Sequence, residues 1–371
     1  MCIRDSSRFI SQIDVGSESV VSLVDLDADG DLDLFVTNKI DPQDLSDSKV
    51  FLFRNNGKST APDFQRVGEF KLEGAYHNAP AFGDLDADGD LDIVLGTWRD
   101  ELRYLQNVGS ETQPDFKLID PAFVEITRGS NATPTLGDID NDGDLDVYVT
   151  NIGKDGLYLN EGGVCTRAPA AALVSSDDCI SSASFLDYDR DGDLDLFVCH
   201  YLQDNPERIC RTSLKEKRDY CGPDKFQGVR DSLYRNEGNG RFSNVTVEAG
   251  ISRALPGFGV ICFDLTGDGW VDIYVANDMK PNQLWVNRRD GTFTDEALAR
   301  GLALNGAGKQ EAGMGVALGD VDGDGRLDLF ITHLADQTHT LYTAAETGSG
   351  LTYRDRSVSY THLTLPTILL V

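Results

Sequence analysis

One phrase occurs six times along the chain, and an internal repeat of this length restricts the fold more than any single residue can. It reads VDLDADGDLDLFVTN from Val24, GDLDADGDLDIVLGT from Gly83, GDIDNDGDLDVYVTN from Gly137, LDYDRDGDLDLFVCH from Leu186, FDLTGDGWVDIYVAN from Phe263 and GDVDGDGRLDLFITH from Gly319. The first Asp of each falls at 25, 84, 138, 187, 264 and 320, at intervals of 59, 54, 49, 77 and 56 residues. A second phrase follows each acidic one: FLFRNNG at Phe51, RYLQNVG at Arg103, GLYLNEG at Gly156, SLYRNEGNGRF at Ser232, QLWVNRRDGTF at Gln283 and a decayed TLYTA at Thr340. Short β-branched and aromatic runs bounded by Gly and Asp read as strands. Each repeat thus supplies strand, acidic turn, strand, loop, aromatic strand, Gly turn and a last strand. The expected fold is all-β: a β-propeller of four-stranded blades with generous loops.

The acidic turn has the chemistry of a cation site. In DxDxDGxxD the side chains at positions 1, 3, 5 and 9, with the backbone carbonyl of position 7, offer hard oxygen ligands around a turn that Gly at position 6 makes sharp. Such a set suits calcium; magnesium demands a stricter octahedron, and zinc prefers the His and Cys that these loops lack. The first site is expected from Asp25, Asp27, Asp29 and Asp33 with the carbonyl of Asp31, the second from Asp84, Asp86, Asp88 and Asp92 with Asp90, and the third from Asp138, Asp140, Asp142 and Asp146 with Asp144. The fourth takes Asp187, Asp189, Asp191 and Asp195 with Asp193, and the sixth Asp320, Asp322, Asp324 and Asp328 with Arg326. The fifth has Asp264, Asp268 and Asp272 with Trp270, but Thr266 replaces an anionic ligand, so it is expected to be the weakest of up to six Ca2+ sites. An EF-hand begins alike but needs a bidentate Glu at position 12 and flanking helices. Position 12 here is Val36, Leu95, Val149, Val198, Val275 or Ile331, inside apolar runs suited to strands buried on both faces.

The net charge of −29 is concentrated in these turns: 27 of the 62 acidic residues fall in the six nine-residue loops, leaving 35 against 33 Lys and Arg. An acidic chain of this kind is not expected to bind nucleic acid through a basic surface. It contains no apolar run of the length a transmembrane helix needs.

These residues carry a family resemblance. The DxDxDGxxD loops set in a repeated strand pattern resemble FG-GAP and VCBS repeats, which build the calcium-bearing propeller of integrin α-subunits and of many bacterial surface proteins. The later half is similar to the ASPIC/UnbV, cartilage acidic protein-like type, on VANDMKPNQLWVNRRDGTFTDEA from Val275, GMGVALGDVDGDGRLDLFITH from Gly313, and CGP at Cys221 followed by SLYRNEGNGRF. The resemblance runs from about residue 20 to 345 and implies seven blades in a complete ring, against the six repeats visible here.

Both termini are expected to be foreign. Met1–Ser6 written back as ATG TGT ATA AGA GAC AGx is the reverse complement of codons for Val358-Ser359-Tyr360-Thr361-His362, the pattern of a transposon-based sequencing adaptor. Residues 1–6 and 358–371 are therefore set aside as adaptor-derived, and the propeller is expected over 7–357.

Six cysteines remain within that span. Cys165 with Cys179, and Cys210 with Cys221, flank two irregular excursions that a disulfide would staple, whereas Cys199 and Cys262 align with small buried residues of the other repeats. The long fourth interval holds an insertion at about 200–232. Because the acidic turn joins two antiparallel strands at one end of the blade, the chain leaving Cys199 emerges at the other end, so the insertion is expected on the face opposite the calcium loops. Arg208, Arg211, Lys215, Lys217 and Arg218 make it locally basic, and Trp98, Arg99, Lys154, Tyr201, Asp278 and Lys280 are expected on the same face. His200 and His333 stand where other repeats carry Asn38, Asn151 and Asn277, and are expected to be structural. The sequence has no HExxH, GxSxG or Walker loop. The expectation is a non-enzymatic adhesion or interaction scaffold, extracellular, periplasmic or at the cell surface, with a protein or glycan partner on the face opposite the calcium. The alternative is a propeller-framed hydrolase or lyase acting on polysaccharide or another extracellular polymer.

Overall fold

The computed structural model describes residues 20–357 except 31, 38–46, 57–63, 74–78, 98–100, 111, 126–131, 152–154, 170–178, 204–209, 212–217, 220–224, 239, 321–323, 334–336, 338 and 349. The two expected adaptor segments, Asp31, Asn38, Asp322, Trp98, Arg99, Lys154, Arg208, Lys215, Lys217 and Cys221 lie outside the described residues.

Six antiparallel four-stranded sheets form the blades of a β-propeller. Blade 1 runs Val20–Val24, Asp33–Thr37, Asp47–Asn55 and Phe64–Glu73; blade 2 runs Ala79–Gly83, Asp92–Gly96, Glu101–Asn107 and Phe116–Glu125. Blade 3 has Thr133–Gly137, Asp146–Thr150, Gly156–Asn160 and Cys165–Arg167; blade 4 has Ile180–Leu186, Asp195–His200, Ser232–Asn236 and Phe242–Asn244. Blade 5 comprises Gly257–Phe263, Asp272–Asn277, Gln283–Asn287 and Phe293–Asp295, and blade 6 comprises Gly313–Gly319, Asp328–His333, Thr340–Thr347 and Gly350–Asp355. The first strands of successive blades lie against one another, which sets them nearest the axis. One helical turn, Ala297–Arg300, follows blade 5. Among the described residues no helix is long and apolar enough to cross a membrane.

The second strands explain the sequence pattern. DLFVT, DIVLG, DVYVT, DLFVCH and DIYVAN are buried at every residue, because neighbouring blades cover both of their faces. The core is built between blades rather than within them. Phe35 of blade 1 meets Phe82 of blade 2 edge-on, with ring centroids 5.0 Å apart, and Tyr148 of blade 3 shares a cluster with Leu196 and Tyr234 of blade 4. Close approach also dictates the Gly before the acidic turn: a Cβ on Gly137 would stand 2.8 Å from the Phe185 ring and 3.1 Å from Leu194 Cδ1 of the next blade.

The insertion leaves His200 at the end of the strand opposite loop 187–194, as the antiparallel connection requires, and it contains a two-stranded ribbon, Cys210–Arg211 with Arg218–Asp219. Cys210 is disulfide-bonded. The Cys165 and Cys179 pairing is not found: both carry thiols, because Cys165 is engaged in the outer strand of blade 3, in register with Asn160, while Cys179 precedes the inner strand of blade 4. Cys199 is fully buried against the core, and Cys262 packs half-buried beside it. His200 and His333 are buried at strand ends, with His200 Nδ1 3.2 Å from the Val198 carbonyl and His333 Nδ1 3.1 Å from that of Ala312. Asp278 is not a surface residue as expected; it is 3 % exposed and accepts a 2.6 Å bond from the Tyr201 hydroxyl.

The packing against Gly137 gives a direct expectation. Gly137→Val forces branched bulk into the Phe185 contact and should cost about 1–3 kcal/mol, read as a lower midpoint in chemical denaturation.

Candidate functional site

Five of the six acidic turns are backbone cages closed by their first aspartate; in the fourth, Asp187 Oδ1 is buried without a hydrogen-bond partner. The position-1 carboxylate accepts the amides of positions 5 and 6: Asp29 and Gly30 onto Asp25 at 3.2 and 3.0 Å, Asp142 and Gly143 onto Asp138 at 3.1 Å each, and Asp268 and Gly269 onto Asp264 at 3.0 and 2.7 Å. Sites 2 and 6 repeat this with Asp84 and Asp320. The position-5 carboxylate then accepts the amide of position 7, in Asp90→Asp88 at 3.1 Å, Asp144→Asp142, Asp193→Asp191, Trp270→Asp268 and Arg326→Asp324 at 2.9 Å. The coil is tight enough to hold position 4 in the left-handed region even without glycine: φ is +52° at Ala28, +60° at Ala87 and Asn141, and +63° at Arg190.

The position-9 carboxylate is the most buried, at 0–2 % exposure for Asp33, Asp92, Asp146, Asp195, Asp272 and Asp328. One oxygen accepts the position-2 amide of its own loop, from Leu26, Leu85, Ile139, Tyr188 and Leu265 at 2.9–3.1 Å. The other accepts an amide of the third strand, from its last residue in Asn55, Asn107, Asn160, Asn236 and Asn287 and from Ala344 within the longer strand of blade 6, at 2.7–3.0 Å. Burial, partly offset by these amides, pushes the carboxyls of Asp33 and Asp146 up to about 6 and those of Asp195 and Asp272 to about 7.

Carboxylate oxygens converge on one point in four loops. Those of Asp84, Asp86 and Asp92, of Asp138, Asp140 and Asp146, and of Asp187, Asp189 and Asp195 lie within 4.8 Å of one another, as do those of Asp25, Asp27 and Asp29 in the first loop. Each group also contains a buried oxygen with no hydrogen-bond partner: Oδ1 of Asp27, Asp86, Asp140 and Asp189, together with Oδ1 of Asp187. A buried carboxylate oxygen aimed at other carboxylates is costly unless a cation meets it. Burial and the neighbouring aspartates raise the Asp27, Asp140 and Asp189 carboxyls, in keeping with that repulsion. The described ligand set is all oxygen and, apart from the exposed Asp29, half-buried to buried, which fits calcium.

The sites differ in how much of their charge the protein itself neutralises. Arg54 Nε stands 2.8 Å from Asp27 Oδ2, Gln106 donates to Asp86 Oδ2, and Arg289 stands 2.9 Å from Asp268 Oδ2. Arg326 pairs with Asp324. In blade 3 the residue matching Arg54 and Gln106 is Leu159, and Glu161 adds negative charge beside Asp140. Site three is therefore the least compensated. Site five is doubly weakened: its third position is Thr266, whose hydroxyl faces Asp264 Oδ1 at 3.5 Å, and Arg289 already engages its fifth. The side chains of Asp90, Asp144, Asp193, Trp270 and Arg326 do not join any convergent group; Trp270 lies under the Arg190 guanidinium at 4.3 Å, and Asp193 accepts a 2.6 Å bond from Asn141 of the neighbouring loop.

Sequence reading missed the asparagine of the second phrase. Its amide reaches position 9, its Oδ1 caps the turn that follows, and its Nδ2 crosses to the preceding blade. There it meets the position-2 carbonyl: Asn160 to Leu85 at 3.2 Å, Asn236 to Ile139 at 2.7 Å and Asn287 to Tyr188 at 2.8 Å. Blade 6 has Ala344 at that place, and the Tyr353 hydroxyl takes over, 3.0 Å from the Leu265 carbonyl. Five recurrences of Asn before a turn were the available signal.

The FG-GAP-like repeat family matches residues 25–95, 99–198, 227–275 and 264–331. Human cartilage acidic protein 1 is 25% identical over 300 residues, covering 74% of this chain and 42% of that protein. The Xenopus tropicalis cartilage acidic protein 1 is 24% identical over 324 residues, covering 79% and 46%. The chain thus spans less than half the length of these relatives. A solved Agrocybe aegerita lectin that recognises non-reducing terminal N-acetylglucosamine aligns with a TM-score of 0.50 at 17% identity, over 92% of this chain and 80% of the lectin, a likeness of fold alone.

The raised position-9 carboxyls set a pH response. A group whose folded pKa exceeds its unfolded value stabilises the fold below the unfolded pKa and loses that contribution as pH rises through the folded one. With Asp33 and Asp146 at about 6 and Asp195 and Asp272 at about 7 against 3.8, the chain in excess EDTA should melt higher at pH 5 than at pH 8. Excess calcium should abolish or reverse that order.

Proposed function

Because the chain belongs to the FG-GAP-like repeat family, we propose that it is a calcium-stabilised propeller serving as an adhesion or interaction scaffold outside the cytosol, whether extracellular, periplasmic or at the cell surface. The observation that carries the calcium reading is the buried, unpartnered Oδ1 of the third-position aspartate in four loops, a residue that also converges with two further carboxylates to within 4.8 Å. Asp25, Asp27 and Asp29 would hold an ion in blade 1, and the position 1, 3 and 9 aspartates would do so in blades 2 to 4. Sites of this kind in extracellular modules bind at about 10⁻⁴ to 10⁻³ M, which matches calcium outside the cytosol and not within it. Bound calcium supplies the positive charge that these carboxylates otherwise lack. Their affinity is then folding free energy.

The scaffold reading rests on the asymmetry of the two faces. One carries near-identical acidic turns; the other carries connections of differing length and chemistry, including the insertion after His200. That second face presents Phe258 at 38 % and Met279 at 48 % exposure, with Tyr201 edge-on to Phe258 at 5.5 Å and Lys280 exposed. Aromatic side chains and Met are typical of recognition surfaces, and a protein or glycan is the partner this face suits.

Chelation should lower the melting temperature by many degrees, and an unchanged curve in EDTA would refute the calcium reading. Asp140→Ala, at the least compensated site, should lower the calcium-loaded melting temperature, whereas Thr266→Asp should tighten site five; isothermal titration resolves both. Deleting residues 203–227 should abolish capture of partner on protein and glycan arrays while sparing calcium-dependent melting.

A further inference from the structure

We propose that the cation sites of blades 2 to 4 are energetically coupled in a row, through a hydrogen-bonded relay that runs from each position-9 aspartate to the loop of the preceding blade. The inference rests on the calcium reading above and adds to it how one site governs the next.

Between blades 4 and 3 the relay has three links. Asp195 accepts the Asn236 amide at 2.9 Å, Asn236 Nδ2 donates to the Ile139 carbonyl at 2.7 Å, and the Ile139 amide donates to Asp146 at 2.9 Å. Ile139 lies between Asp138 and Asp140, so its two peptides set the direction of both ligands. The same three links join blade 3 to blade 2 through Asn160 and blade 5 to blade 4 through Asn287. Each of Asp92, Asp146 and Asp195 is at once a member of its own convergent carboxylate group and an anchor of the relay. Repulsion within an empty group works against the grip of its position-9 aspartate on the Asn amide. Neutralising that group firms the Asn, and the Asn fixes the peptide between two ligands of the preceding site. By linkage the coupling acts equally in the other direction.

The alternative is long-range electrostatics, in which neighbouring ions repel through space without the Asn. The two predict opposite signs as well as different dependence on Asn236. The relay makes neighbouring sites help one another, while through-space repulsion makes them hinder.

The test is a double-mutant cycle on the 15N-glycine-labelled chain, titrated with calcium while the amide of Gly143, at position six of site 3, is followed by NMR. Asp189→Asn disables site 4 without touching the relay. It should raise the calcium midpoint at Gly143 by about two- to tenfold, the worth of one hydrogen bond, and in the Asn236→Ala background it should leave that midpoint where it was. Gly325, in site 6, reports general loosening: an effect of Asn236→Ala on fold stability alone would move Gly325 with Gly143, and that result overturns the relay. Equal shifts with and without Asn236, a lowered midpoint, or no shift at all also overturn it. If the Gly143 and Gly192 amides ignore calcium in the parent chain, the calcium reading itself falls and the relay with it. Should Asn236→Ala fail to fold, the same cycle runs across Asn160, with Asp140→Asn disabling site 3 and Gly89 as the reporter.

Discussion

A carboxylate with 0–2 % exposure, held between two backbone amides at the root of an acidic loop, recurs in the described blades, and the other features of the fold hang on it. Position 9 is where the second strand begins, so this aspartate joins the turn that precedes the strand to the turn that follows the third strand. It thereby fixes the ends of three strands with one side chain. Burying such a group costs free energy unless both oxygens are met, and the structure meets each with an amide while aiming the whole group at the remaining aspartates of the loop. The raised carboxyls of Asp195 and Asp272 express what this arrangement costs at neutral pH without a counter-charge.

From that constraint follows the division of labour around the propeller. The interior is apolar and lies between blades, where Phe35 on Phe82 and Tyr148 against Leu196 supply non-directional cohesion. Orientation comes instead from polar bonds at the loop face, where Asn160, Asn236 and Asn287, and Tyr353 in blade 6, tie blades 3 to 6 each to the one before it. The exchange of Asn for Ala344 with Tyr353 in compensation indicates that the carbonyl at position 2 has to be met, whichever residue meets it.

Much of this was legible in the sequence, for physical reasons. The continuous apolar runs after each DxDxDGxxD read as strands covered on both sides, and the recurrence of the phrase as blades; the structure has six four-stranded blades at those positions. The convergence of Asp138 with Asp140 and Asp146 was equally readable, because the ligand spacing is local. What spacing could not reveal were contacts between residues distant in the chain: that Arg54 and Arg289 partly neutralise sites one and five, that Asn236 reaches Ile139 across 97 residues, and that Asp278 turns inward to the Tyr201 hydroxyl. The Cys165 and Cys179 pairing failed for a related reason, since proximity in sequence said nothing of the register with Asn160 that commits Cys165 to an outer strand.

The central claim is that these loops are folded around cations. A crystal structure of the chain grown in calcium tests it most directly, through anomalous difference density at the four convergent groups. The account predicts a peak in blades 2, 3 and 4 within about 2.3–2.6 Å of oxygens from positions 1, 3 and 9, strongest in blade 3. Loops that keep the same geometry with water, or with nothing, between Asp138, Asp140 and Asp146 would contradict it.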